Sequence, residues 1–219
     1  MFKSAEILGL IHKDYLLDLK SKNIILSTLL YVFSTVFVCY LSFQNIKTDA
    51  WNSLFWIIAL FAITNAANKV FLNESGFQKF YLYTLADPRS IILSKLVYQW
   101  IFTTIIAILV LFSWMMVFSI DVPHILAFLV FVLLGIWSLS NVLTLNNALS
   151  TGTSNSPAVL AILSFPIMLP ILMTTIKATK LSLMQTLPPD IWQYGVSLLL
   201  LNVLTAIMAY ILFPYLWRY

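Results

Sequence analysis

The sequence predicts an all-α integral membrane protein: six transmembrane helices, an N-terminal interfacial helix, and a short helix on the cytoplasmic side between transmembrane helices 2 and 3. Three observations carry this. Only 9% of the 219 residues are charged and 61% are hydrophobic, with 15% aromatic; a soluble domain averages about 25% charged. The charges are also confined, leaving long stretches free of Asp, Glu, Lys and Arg. The longest of these, 55 residues from Val122 to Ile176, is interrupted by one polar cluster, Ser150-Thr-Gly-Thr-Ser-Asn-Ser-Pro157, whose turn formers and closing proline end a helix. Disorder, a collagen-like repeat and a disulfide-stapled fold are excluded by composition.

Residues 1–22 form the first element. Leu8, Ile11, Tyr15 and Leu19 recur at helical spacing among Lys3, Glu6, Lys13, Asp14, Asp18 and Lys20, which predicts a helix lying along the cytoplasmic interface. Leu10 and Leu17 fall on its polar side. The segment lacks the short apolar core and small-residue cleavage site of a signal peptide. One membrane crossing takes about 20 residues, and the charge-free stretches place spans at about 24–43, 50–70, 96–118, 125–148, 158–177 and 193–215. These runs are continuous, whereas barrel strands alternate over about 10 residues. Cys39, the single cysteine, is expected to pack as a thiol among apolar side chains.

Lys and Arg set the orientation. With the N-terminus inside, Lys3, Lys13, Lys20, Lys22, Lys69, Lys79, Arg89, Lys95 and Arg218 are cytoplasmic, and Lys47, Lys177 and Lys180 lie outside. Nine against three puts both termini in the cytoplasm. The net charge of +4 is thus an orientation signal, and no nucleic-acid partner is expected from basic residues scattered in this way.

The chain has no machinery of its own for an energetic reaction. Its five glycines (Gly9, Gly76, Gly135, Gly152, Gly195) are far apart and none precedes a lysine, so no phosphate-binding loop is present. Two separated histidines and one cysteine make no metal cluster. No carboxylate falls inside a predicted span, which argues against an ion-coupled carrier and against a membrane protease. No catalytic residue is assigned, and any energy is expected from a partner.

The loop at 71–95 is the longest and most charged on the cytoplasmic side. Within it Phe77, Phe80, Tyr81 and Leu85 recur at helical spacing, and Asp87-Pro88 forces a turn before the third span. Such an aromatic face must be buried on lipid headgroups, on the protein's own helices, or in a groove of a soluble protein. In the fifth span Pro166 and Pro170 each remove a backbone donor, making either a hinge or a fixed kink. Ser140, Thr144, Asn147 and Thr151 lie on one face of the fourth span and need partners away from lipid, either between helices or along a substrate path. Asn65 and Asn68 are candidate partners for that stripe.

The loop with Glu74, Gly76, Leu82 and Lys95, and the segment Ser164-Phe-Pro-Ile-Met-Leu-Pro-Ile-Leu172, resemble the CcmB family. CcmB is the permease subunit of the heme exporter in cytochrome c maturation, with the membrane domain of a type-2 ABC exporter. The resemblance covers the whole chain as one transmembrane domain, 1–219. Two departures stand out: Lys79 where the family tends to carry an acidic residue, and Leu85 where it tends to carry proline.

The resemblance implies that 71–95 is a coupling loop. Its helix, with Glu74, Gly76, Phe77, Phe80, Tyr81, Leu82 and Leu85, would contact a CcmA-type ATPase. It further implies a homodimer in the bacterial inner membrane, working with CcmC, CcmD and the chaperone CcmE, whose heme-loaded form is released on ATP hydrolysis. ATP would sit on the partner, and heme would be cargo with no cofactor resident in this chain. His124, beside Asp121 and Pro123, is a candidate axial ligand for heme iron, although an interfacial histidine has the same pattern. The tryptophans near span ends are expected in aromatic belts. A permease for another cargo (lipid, drug or peptide) and a non-conducting scaffold of a maturation complex remain the alternatives.

Overall fold

The computed structural model describes residues 4–20, 22–43, 45–67, 86–150 and 156–217. Among these residues there are seven helices and no strands: α1 (Ser4–Lys20), α2 (Lys22–Ser42), α3 (Thr48–Ala67), α4 (Pro88–Val117), α5 (Ile125–Ser150), α6 (Ser156–Ser182) and α7 (Ile191–Trp217). A helix occupies each of the six positions predicted for spans. Among the described residues four are long and apolar enough to cross a membrane: Thr48–Ala67, Pro88–Val117, Ile125–Leu149 and Ile191–Tyr215. The described apolar part of α2, Leu26–Ser42, is shorter. In α6 the apolar run is diluted by Pro166 and Pro170 and ends at Lys177 and Lys180.

Boundaries follow local chemistry. The helix α4 starts at Pro88, so residues 88–95, which the charge pattern assigns to the preceding loop, are helical. Asp87 is its N-cap, accepting from the Arg89 N–H at 3.2 Å, and Pro88 opens the first turn, where its missing donor costs nothing. Arg89 and Lys95 interrupt hydropathy without interrupting a helix. The break inside the long charge-free stretch falls between Ser150 and Ser156, at the polar cluster.

Side-chain registers give the helix directions. Trp100 meets Asn141 and Thr104 meets Trp137, so α4 and α5 are antiparallel. Asn146 meets Ser164 while Gly135 lies at Thr175, so α5 and α6 are antiparallel too. At one end of the bundle Lys180 pairs with Asp49 at 3.0 Å and the His124 ring meets the Gln185 carbonyl. These contacts gather the links between α2 and α3, α4 and α5, and α6 and α7. Hence α2 to α7 alternate in direction.

The central element is α5, buried at every residue from Ser138 to Ala148. The main core joins it to α2, α3, α4 and α6, and a second cluster joins the first turns of α4 to the ends of α5 and α7. Trp51 and Trp114, expected in an aromatic belt, are instead fully buried. They stack with Phe55, Phe118 and Phe128 at centroid separations of 4.6 to 6.2 Å, because both face α5 and its neighbours. Trp192, by contrast, is 75% exposed. Cys39 packs half-buried against the main core.

Gly135 marks a close approach of helices in the bundle core. A Cβ there would stand 2.3 Å from Thr175 Cγ2 on α6 and 2.7 Å from Trp56 Cη2 on α3, so three helices meet where a side chain is missing. Gly135→Ala is expected to destabilise the bundle by about 1–3 kcal/mol through overpacking. The measurement is thermal unfolding in detergent, with Gly9→Ala, whose Cβ meets open space, as a control expected to be neutral or slightly stabilising.

Candidate functional site

The chemistry of this chain concentrates at the head of α4, where the 71–87 segment joins the bundle. Three side chains of α1 reach it in regular order. Glu6 Oε1 accepts the Asp87 N–H at 2.9 Å. Lys95 Nζ donates to Asp14 Oδ1 at 3.1 Å. The Tyr98 hydroxyl donates to Asp18. The sequence offset stays at 80 or 81 across all three, so α1 and α4 run parallel, side by side, over about three turns.

The middle contact is the most consequential. Both side chains are nearly sealed, Lys95 at 4% and Asp14 at 6% exposure. Lys13 adds a second positive charge at 3.4 Å from the same Asp14 oxygen, while Asp14 Oδ2 has no hydrogen-bond partner among the described residues. A buried charge is tolerated when its counter-charge is fixed beside it. The other side of the α4 head is held by α7. Arg89 lies over the Tyr210 ring, 5.4 Å from its centroid, and Ile91, Ile92 and Leu96 pack with Leu145, Ala209 and Phe213.

This arrangement inverts the expected role of the α1 faces. The carboxylates and the half-buried Leu10 and Leu17 face the bundle. Leu8 and Tyr15 point outward, 66% and 51% exposed. The sequence groups Leu8 and Tyr15 on one face, as found, but does not give the opposite face a protein partner. The signal for it was the spacing of Glu6, Asp14 and Asp18 on one side of a helix, beside an apolar helix whose head carries Lys95 and Tyr98.

The remaining predicted residues fall as follows. Glu74, Gly76, Phe77, Phe80, Tyr81, Leu82 and Leu85 lie outside the described residues, as do Asn68 and Thr151. Ser140, Thr144 and Asn147 are fully buried between helices. Thr144 donates to the Ser140 carbonyl, and Asn147 donates to the Ala67 carbonyl at 2.7 Å, fastening α5 to the end of α3. Asn65 is exposed and does not join this stripe. Pro166 and Pro170 sit on an exposed face of α6, which runs unbroken past both. His124 Nε2 lies 3.2 Å from the Gln185 carbonyl. That oxygen can only accept, so Nε2 carries the proton and Nδ1 is the nitrogen left for any ligand.

A second polar group, not singled out by the sequence, ties α4, α5 and α7. Trp100 Nε1 donates to Asn141 Oδ1 at 2.6 Å, the Asn141 amide donates to Asn202 Oδ1 at 3.2 Å, and the Asn202 amide donates to Ser138 Oγ at 2.7 Å. A third ties α3 to α6: Trp56 Nε1 donates to Thr179 Oγ1 at 3.0 Å, and Asn52 Nδ2 donates to the Ile176 carbonyl at 2.9 Å. Each satisfies inside the protein what lipid cannot satisfy.

No group of three or more metal-ligating side chains occurs among the described residues. An all-helical, charge-poor bundle with several helices apolar enough to span a bilayer defines a multi-pass membrane protein. Within that class the profile of the CcmB protein family matches residues 5–215, and the chain belongs to this family, the membrane permease subunits of the heme exporter of cytochrome c maturation. No curated protein matches the chain.

The α4 head supplies a direct test. Lys95→Met leaves the buried Asp14 with only the more exposed Lys13 as counter-charge and is expected to cost up to about 3–5 kcal/mol, whereas Lys95→Met with Asp14→Leu recovers most of that loss. Thermal unfolding, with protease cleavage within α1 as a local readout, distinguishes the two variants.

Proposed function

We propose that this chain is the energy-receiving half of an ABC-type complex that delivers heme, coupling ATP hydrolysis on a CcmA-type subunit to release of heme-loaded CcmE. All six helices α2 to α7 cross the bacterial inner membrane with both termini in the cytoplasm. The outward Leu8 and Tyr15 of α1 then flank the head of α4 at the cytoplasmic face. Two copies pair around two ATPase subunits, with CcmC and CcmD alongside. ATP resides on the partner, and heme is cargo.

The single observation that carries this reading is the three-point clamp of α1 on the α4 head. The aromatic segment containing Phe77, Phe80, Tyr81 and Leu85, flanked by Glu74, Gly76 and Leu82, connects directly to that head. A displacement of the segment by an ATPase would be delivered to Asp87, whose N–H is held by Glu6. It would then pass to Lys95 and Tyr98, held by Asp14 and Asp18. Because α1 grips α4 at three heights, the two helices move as one body. The Asn141–Asn202 network extends that body to α5 and α7. In this scheme Pro166 and Pro170 are the yielding points of α6, since each removes one backbone hydrogen bond.

Phe80→Asp combined with Tyr81→Asp tests the docking face. Membrane insertion is expected to stay normal, while ATPase recovered by co-purification falls at least about tenfold, the scale of losing an aromatic hot spot. Holo-cytochromes c are expected to be lost in the same cells. Unchanged ATPase recovery would overturn the docking face, and recovery of a homo-oligomer alone from native membranes would overturn the complex.

A further inference from the structure

Two polar side chains sealed inside the bundle take no part in the contacts between its helices. Gln99 on α4 is 1% exposed and Ser140 on α5 is fully buried. Neither amide atom of Gln99 nor the Ser140 hydroxyl has a partner among the described residues. Neighbouring hydroxyls behave differently. Thr103 donates to the Gln99 carbonyl at 2.7 Å, Ser138 to the Leu134 carbonyl at 2.9 Å and Thr144 to the Ser140 carbonyl at 2.8 Å, so each is satisfied within its own helix. Helix register brings the two unmet side chains to one place. Gln99 and Ser140 each come one residue before the Trp100–Asn141 contact. In an antiparallel pair, one step back along both helices turns both side chains to the same side of the seam. The helix α3 closes that side, since Asn147, two turns beyond Ser140, donates to the Ala67 carbonyl. The buried side chains of Ala62 and Ala66 on α3 are methyl groups, which bring neither donor nor acceptor.

We infer that the seam between α3, α4 and α5 binds a buried water that bridges the Gln99 amide and the Ser140 hydroxyl. The hydrogen-bond inventory selects this ligand. The Gln99 side chain carries both N–H donors and a carbonyl acceptor, and the Ser140 hydroxyl both donates and accepts. A cation would meet the oxygens and leave the amide hydrogens bare, while an anion would do the reverse. Neither has a counter-charge free to receive it: Lys95, one turn earlier on α4, is already paired with Asp14, and an unpaired ion in such a place is costly. Water donates and accepts, and a buried water makes about three hydrogen bonds to polar groups that lack other partners. Without it these groups would carry their full desolvation penalty. The bridge couples α4 to α5 through an exchangeable molecule, beside the direct bond from Trp100 to Asn141. The inference is independent of the cargo and of the ATPase.

The test uses the full chain crystallised from a lipidic mesophase, at a resolution that shows ordered water. A peak is expected within about 3.2 Å of both the Gln99 amide and Ser140 Oγ. In reversible unfolding of the same chain, Gln99→Met and Ser140→Ala are each expected to lower the ratio of folded to unfolded protein about tenfold. The two together are expected to lower it by clearly less than the product of the single effects, because either change alone already strands the water and its other partner. Ser140→Ala, which keeps the helix and removes one atom, carries the test should Gln99→Met fail to fold. Four results would each overturn the inference: no peak in the seam, a direct hydrogen bond between Gln99 and Ser140, a peak ringed by oxygens at about 2.3–2.6 Å as a cation would be, or a single substitution that leaves the folded ratio unchanged or raises it.

Discussion

The buried pair of Lys95 and Asp14 is the constraint on which the end of the bundle at the head of α4 depends. An isolated charge inside protein costs several kcal/mol or more, so neither residue reaches its position without the other. That requirement fixes three things at once. It sets the register of α1 on α4, it turns the carboxylate face of α1 inward, and it holds the head of α4 where α7 packs with Tyr210 and Phe213. An apolar contact of the same area would allow α1 to slide or rotate, because burial is non-directional. A charge pair flanked by two hydrogen bonds at 80 or 81 residues of offset admits one register.

Elsewhere the bundle solves the same problem with neutral groups. Asn141, Asn202, Asn52 and Thr179 are polar residues in helices with no water to satisfy them, and each finds its partner on a neighbouring helix. Measured strengths of such bonds in membranes are modest, about 0.6 kcal/mol on average. Their effect is on specificity: a helix rotated by one position would bury these amides against hydrocarbon. Gly135 acts in the opposite sense, bringing backbones together where a methyl group has no room. Together these devices hold α3 to α7 in fixed register where they touch.

Much of this was legible in the sequence, for a physical reason. Excluding charge from 23–46 or 191–217 is required of any helix surrounded by hydrocarbon, so the requirement is written residue by residue. The break at Ser150-to-Pro157 was legible because a proline and a run of small polar residues cannot continue a helix. The start of α4 was misplaced by the rule that located it. Hydropathy ends at Lys95, but a helix ends only where backbone bonds do, at Pro88. The pairing of α1 with α4 was illegible because it joins residues about 80 positions apart. Composition identifies Asp14 and Lys95 as charges to be solvated, and only tertiary packing makes them each other's solvent. Asn141 and Asn202 escaped for a similar reason, since isolated amides in apolar runs carry no spacing signal.

The length of α4 connects these observations to the transmission of force. Its 30 residues span about 45 Å, against a hydrocarbon core of about 30 Å. Tilting could absorb an excess distributed over both ends. Here the excess is one-sided, because Arg89 and Lys95 lie in the first two turns and charge is absent from Leu96 to Ile120. In the proposed orientation the surplus of about 15 Å projects on the cytoplasmic side, and it matches the stretch from Asp87 to Tyr98 that α1 clamps. An unsupported projection of three turns would fray, since short helices in water are marginal, and a frayed head would absorb any displacement applied to it. With α1 alongside, the projection is a two-helix stem continuous with the membrane-crossing part of α4. In the proposed scheme a push on residues 71–87 would then be carried into the bilayer rather than spent on local unfolding.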